Sequence, residues 1–277
     1  MKKIILVLSL CLGLALTLTG CSSGGSSSSG GSQVVVGNYS QTFSPSYTTL
    51  TVKGKATSIN IAYYNGSTVS VTDTLYQSSD KVTTVPSTNP YPPTIISGGS
   101  TLEIAASYPS DNTGYSDVLT INIPTSMVLS TISAETGLGS IGIGNGNANL
   151  TSITLSAGLG SVNLNATNAT NTSLSINLHS GEGSAGLTGA SQYATVIEDS
   201  GMGSVSYKGA GSTLEATASM GNVNINNTWS SVKATASMGT VMYNGTQQTS
   251  PFSLNVPSSY TPQVKLTASM GSISCSQ

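Results

Sequence analysis

From Thr131 to the C-terminus, apolar and polar residues alternate with a period of two, and the alternation changes phase at a recurring glycine. Before the glycine, the apolar or small positions are Ile132, Ala134, Thr136, then Ile153, Leu155, Ala157, and later Leu214, Ala216, Ala218. After it they are Ile141 and Ile143, Val162 and Leu164, Val223 and Ile225. A period of two predicts strands rather than helices, and the change of phase predicts a corner between two strands. Glycine suits such a corner because it accepts positive φ and close backbone approach.

The corner belongs to a five-residue phrase found seven times: GLGSI (137–141), GLGSV (158–162), GEGSA (181–185), GMGSV (201–205), SMGNV (219–223), SMGTV (237–241) and SMGSI (269–273). Its second glycine is Gly139, Gly160, Gly183, Gly203, Gly221, Gly239 or Gly271, at steps of 18 to 23 residues and a last step of 32. Near-constant spacing of this size predicts a stack of repeats. Each rung is too small to bury its own apolar face, so neighbours must supply the core. The fold expected is an all-β solenoid of about seven recognisable rungs over residues 127–277. The long last step places an insertion at 244–261.

Residues 34–126 are expected to form a β-rich N-terminal part that caps the stack. Leu50 and Val52, Ile59 and Ile61, and Leu119, Ile121 and Ile123 alternate in the same way. Asn65-Gly66 signals a hairpin between Tyr63-Tyr64 and the strand carrying Val69 and Val71. Four prolines and Gly98-Gly99 predict a surface loop over residues 80–100.

The N-terminus is an address rather than structure. Lys2 and Lys3 precede an apolar run from Ile4 to Leu18, and Leu18-Thr19-Gly20-Cys21 has the form of a lipobox. Residues 1–20 are read as a cleaved signal peptide and Cys21 as the lipidated N-terminus. Residues 22–32 are all Ser or Gly and reach roughly 17 to 20 Å, so 21–33 form a lipid-bearing tether. The expected location is the cell envelope: the outer membrane if the host has one, otherwise the outer face of the cytoplasmic membrane.

Residues 119–143, LTINIPTSMVLSTISAETGLGSIGI, resemble the putative adhesin family DUF4097 and the related DUF2807. Those proteins pass from an Ile-Pro strand end into rungs of the form apolar-x-small-x-x-Gly-x-apolar. The resemblance covers most of residues 45–277. It implies a single-stranded, right-handed parallel β-helix in an envelope protein, and it implies no catalytic site. The rung at 181–187, with weaker inward residues, and the insertion at 244–261 depart from the family pattern.

Composition narrows the chemistry. Without Lys2 and Lys3 the chain has six lysines, no arginine and ten acids, a net charge near −4, so a nucleic-acid partner is not expected. With Cys11 removed and Cys21 acylated, only Cys275 remains, in an inward slot of the last rung, and no internal disulfide can form. His179 is the only histidine. No metal site, cofactor or catalytic group is expected, although Glu182 and Glu198 are the acids that neighbouring rungs could bring together. Glu198 falls in an inward column with Ala216, Ala234 and Leu266. Because a lone buried carboxylate is costly, the expectation is a bulge that turns Ile197 inward instead. Leu138, Leu159, Met202, Met220, Met238 and Met270 share one column beside the corner. Thioethers are Cu(I) ligands, but the leucines favour a packing ladder.

The function expected is non-catalytic: a surface-displayed solenoid binding cell-surface glycan or wall polymer. An envelope-stress sensor or scaffold binding an envelope protein is the alternative, and a polysaccharide enzyme the weakest reading. Candidate contacts are Tyr91 in the proline loop and Phe252 and Tyr260 in the insertion, since exposed aromatics on loops suit sugar stacking and protein contact. Phe252 has a second reading, as a plug where the insertion leaves the stack.

Replacing Cys21 with Ser is expected to move the protein from the membrane fraction to the soluble fraction, as read by fractionation with a carbonate wash. Retention of Cys21→Ser in washed membranes contradicts the lipobox reading.

Overall fold

The computed structural model describes residues 32–82, 89–106, 114–144, 149–167, 173–189, 195–209, 213–226, 232–254 and 263–276. The signal peptide, Cys21, the tether up to residue 31 and Tyr260 lie outside them. No described helix is long and apolar enough to cross a membrane.

The described chain is all-β. It begins with β1 (Gln33–Phe43), β2 (Thr49–Gly54), β3 (Thr57–Tyr64), β4 (Val69–Ser78), β5 (Thr94–Gly98), β6 (Thr101–Ala105) and β7 (Tyr115–Pro124). Pairs split by a glycine corner follow: β8 (Thr131–Leu138) and β9 (Ile141–Ile143), then β10 (Ser152–Leu159) and β11 (Val162–Asn165). The next are β12 (Ser175–Glu182) and β13 (Ala185–Thr188), β14 (Thr195–Met202) and β15 (Val205–Lys208), then β16 (Thr213–Met220) and β17 (Val223–Asn226). The chain closes with β18 (Val232–Met238), β19 (Val241–Tyr243), β20 (Thr246–Gln248), β21 (Phe252–Leu254), β22 (Gln263–Met270) and β23 (Ile273–Ser276).

These strands form two sheets. Sheet A runs β1-β4-β7-β3-β9-β11-β13-β15-β17-β23-β19-β20, and sheet B runs β21-β18-β22-β16-β14-β12-β10-β8-β2-β6-β5. Each rung places one strand in each sheet, and neighbouring rungs pair in parallel, in register. The inward columns interlock as one core, from Leu102 and Leu119 at one end to Val232 and Val241 at the other.

The corner explains the glycines. Gly139, Gly160, Gly183, Gly203, Gly221, Gly239 and Gly271 have φ between 124° and 150°, a region that side chains resist. They also stack directly. A Cβ on Gly221 would overlap the carbonyl oxygen of Gly203, and one on Gly203 would overlap that of Gly183. This approach lets the hydrogen-bond ladder run through the corner: the Gly203 N–H donates to the Met220 carbonyl at 2.8 Å, and the Val205 N–H to that of Asn222 at 2.9 Å.

The ends of the stack differ from expectation. Residues 34–126 contribute two more rungs, β2 with β3 and β6 with β7, in register with the repeats. Antiparallel strands β4 and β1 then cover β7 in sheet A, and β5 covers β6 in sheet B. The Asn65-Gly66 turn reverses the chain, but β7 lies between β3 and β4, so the expected hairpin is split. Neither Asn65 nor Gly66 takes a positive φ. The two-residue hairpin lies instead at Asn244-Gly245, where φ values of 49° and 74° suit a type I′ turn and Tyr243 pairs with Thr246.

At the far end the last rung does not cap the stack. β22 and β23 insert between the β16–β17 rung and the β18–β19 rung. The cap is the insertion itself. β20 covers β19 and β21 covers β18, both antiparallel. Ser250 extends the cover: its hydroxyl donates to the Ala236 carbonyl at 2.8 Å and accepts from the Ala236 N–H at 3.0 Å. Unpaired edges invite association with other chains, and residues 244–254 cover them here.

Gly221→Val is expected to lower stability by roughly 3 kcal/mol or more, because strain of about 1–3 kcal/mol adds to displacement of the Gly203 backbone. Asn224→Ser, at an outward position on the next strand, is expected to stay within about 0.5 kcal/mol. Denaturant melts of the two variants check the difference, and equal midpoints contradict the stacking described.

Candidate functional site

The two outer faces of the stack differ in chemistry. On sheet B three polar side-chain pairs join neighbouring strands. Lys265 Nζ lies 2.7 Å from Glu215 Oε1, Lys53 Nζ 3.1 Å from Glu103 Oε1, and His179 Nδ1 3.0 Å from Asp199 Oδ2. Sheet A presents instead an in-register outward column of small uncharged residues. Asn60, Gly142, Asn163, Gly186, Ser206, Asn224 and Ser274 follow one another strand by strand. They do so because the corner sends alternate residues outward, and the repeats put Asn, Ser or Gly there.

Towards the C-terminal end this face dips. Ser206, Lys208, Asn224, Asn226 and Ser274 surround an open depression of about 290 Å³, with Tyr207 and Ile225 beneath. It offers hydroxyl and amide donors and acceptors at the strand spacing of about 4.8 Å, with Lys208 as its cation. That equipment binds polar groups by hydrogen bonding and holds no general acid–base pair.

The aromatics singled out from the sequence occupy separate places. Tyr91 packs edge-on against Tyr115, with ring centroids 5.4 Å apart, and its N–H donates to Asn89 Oδ1 at 2.8 Å. Phe252 packs against the end of the core, its ring 5.4 Å from that of Tyr243. The two are not brought together with the sheet A depression.

Glu182 and Glu198 do not form a pair. Glu182 lies in register with Met202 in the exposed column beside the corner, whereas Glu198 lies in register with Leu178 and Ala216, inside. The expected bulge at Glu198 is absent. Glu198 is 0% exposed and Ile197 is 42% exposed, so the carboxyl occupies the inward slot. Among the described residues its two oxygens have no hydrogen-bond partner, and burial pushes its pKa well above the usual carboxylate range. The regular ladder on both sides overrides the desolvation that argued for a bulge: slipping β14 by one residue would turn Val196 and Ser200 outward as well.

Two further buried acids were missed in the sequence. Asp73 on β4 and Asp117 on β7 lie inside the N-terminal end, where Asn89 Nδ2 donates to Asp73 Oδ2 at 2.8 Å. Desolvation raises Asp73 to about 6, against the hydrogen bonds of Asn89 and Asp117. Desolvation likewise raises Asp117 to about 7, with the charge of Asp73 adding and a hydrogen bond to Thr57 opposing. The signal was present in the alternation: Asp73 is in phase with Val69, Val71 and Leu75, and Asp117 with Leu119 and Ile121. Among the described residues, no three His, Cys, Asp or Glu side chains converge as a metal cluster.

Leu138, Leu159, Met202, Met220, Met238 and Met270 stack in register beside the corner and are all exposed.

No family model matches the chain, and no curated protein matches it. Among solved structures, the chain is similar to a putative cell adhesion protein from Clostridium sporogenes, at 15% identity over 87% of this chain and 98% of that one, with a TM-score of 0.42. A putative adhesin from Bacteroides fragilis is similar at 15% identity over 86% and 96%, with a TM-score of 0.44.

The buried acids make stability depend on pH. Asp73 and Asp117 titrate at 3.8 when unfolded and at about 6 and about 7 when folded, so folding takes up protons. Their contribution is fully present below about pH 4 and is lost as pH rises through 6 to 7. Glu198 acts in the same direction. The melting temperature is expected to fall between about pH 4 and pH 7. Asp117→Asn, which keeps a donor towards Asp73, should reduce the slope, and adding Glu198→Gln should reduce it further. An undiminished slope in the double variant contradicts the assignment.

Proposed function

We propose that the chain is a non-catalytic, lipid-anchored β-solenoid of the cell envelope with an adhesin-like role, whose sheet A face binds a repeating polar polymer such as a surface glycan or wall polymer. The observation that carries this reading is the in-register column of small polar residues on sheet A, ending in the depression around Asn224. A ligand with a regular repeat meets the same donors and acceptors at each strand, so weak contacts add along its length. The near absence of charge suits neutral hydroxyl-rich ligands, and the paired charges of sheet B do not. The rung-to-rung crossovers are those of a parallel coil, for which the right hand is the general rule. Cys21 would carry the lipid anchor, with the Ser/Gly stretch 22–32 as its tether.

The test is a pull-down of the purified protein with isolated cell-wall polymer and with whole cells. Asn224→Trp places a bulky ring in the middle of the sheet A face and is expected to lower binding at least fivefold. Thr154→Trp, outward on sheet B, is expected to leave binding unchanged. Equal binding by both folded variants removes sheet A as the contact surface, and turnover of the polymer by the wild-type protein overturns the non-catalytic reading.

A further inference from the structure

The column beside the corner carries an arrangement that the proposed contact face does not use. Met202 is in register with Met220, Met220 with Met270, and Met270 with Met238. In the chain these residues stand at 202, 220, 238 and 270, but the inserted last rung places Met270 between Met220 and Met238. Four methionines therefore occupy four consecutive strands without a break. They are 41%, 38%, 40% and 60% exposed in that spatial order. The chain has seven methionines in all, so more than half of them sit in this one column. The hydrophobic effect accounts for neither fact, since a core would bury them and leucine already serves at Leu138 and Leu159.

We propose that Met202, Met220, Met270 and Met238 form a binding site for a soft monovalent d10 cation of the Cu(I) class. Thioethers are soft, neutral ligands that select such ions over Zn²⁺, Mg²⁺ or Ca²⁺. The spacing fits. Parallel strands repeat every 4.7–4.9 Å or so, and two metal–sulfur bonds of roughly 2.3 Å in line span about 4.6 Å. Two neighbouring sulfurs can therefore hold an ion between rungs, and the flexible methionine side chain allows a third to close in. Glu182 continues the column beyond Met202 in register, which places an exposed carboxylate at the end of the row. The column carries no lysine to repel a cation. Cys275, the competing soft ligand, is buried within the core, with its thiol pushed up to about 12 by desolvation.

The experiment titrates the purified full chain with Cu(I) under anaerobic conditions against the chromophoric chelator bathocuproine disulfonate. Ag(I) serves as a redox-inert second probe, read through the methionine methyl resonances. Wild-type protein is expected to take at least one Cu(I) from the chelator and to shift the methyl signals of these four residues with Ag(I). Met220→Leu/Met270→Leu copies the residue found at Leu138 and Leu159, so the fold should be kept, as circular dichroism and the melting temperature would show. Its affinity is expected to drop at least tenfold, while Cys275→Ala binds as the wild type does. No transfer to the wild type, equal transfer to the folded double-leucine variant, or loss of binding in Cys275→Ala overturns the proposal.

Discussion

The repeat rungs of this protein depend on one close approach: from Gly160 onward each corner glycine lies directly against the carbonyl oxygen of the corner glycine beside it, and Gly139 lies against that of Thr57. The positive φ removes any side chain from the turn. The absence of a Cβ then allows the peptide groups to keep the strand spacing through the bend, so the hydrogen-bond ladder continues from sheet B into sheet A. A repeat that broke the ladder there would leave two buried polar groups unpaired at every rung, a penalty that grows with the length of the stack. The phase change of the alternation is the other consequence of the same bend. It turns both apolar columns towards one core and leaves the intervening residues outside.

Polar groups inside the core fall into two kinds. Ser180 and Ser200 fill the inward slot nearest the corner and donate to the carbonyls of Gly160 and Gly183, each at 2.7 Å, while Thr136 does the same to Thr57 at 2.8 Å. These hydroxyls reinforce the corner. Glu198, one inward position further along β14, has no hydrogen-bond partner among the described residues, and burial raises its pKa well above the usual carboxylate range. Asp73 and Asp117 are intermediate, since hydrogen bonds to Asn89 and Thr57 offset part of their desolvation. Distance from the corner thus decides whether a buried polar side chain supports the fold or burdens it.

The open ends of a parallel stack are its weak points, and both are closed by strands of reversed direction. Closing each end requires the chain to leave the stack and return. That excursion is why β7 separates β3 from β4, and why β22 and β23 sit inside the β18–β19 rung rather than beyond it. The same return sets the order of the methionine row, with Met270 between Met220 and Met238, so a device for covering edges also shapes the surface beside the corner.

Strand positions, corners, register and the inward phase of nearly every residue were legible in the sequence because each follows from a local period and a local glycine. Even Glu198, Asp73 and Asp117 stood in the inward phase, and the register held them there against their own desolvation. Three matters were decided only by tertiary structure. The phrases around Met220, Met238 and Met270 are almost the same, so any could pair with any, and edge covering by β20 and β21 selected the order. Asn-Gly occurs at 65, 145 and 244, and of the two among the described residues only Asn244-Gly245 closes a hairpin, because a later strand, β7, took the place beside β3. The Leu and Met column reads as core in any pattern of apolar spacing. It lies outside because the bend points that one position away from both sheets, a direction set by the angle of the corner.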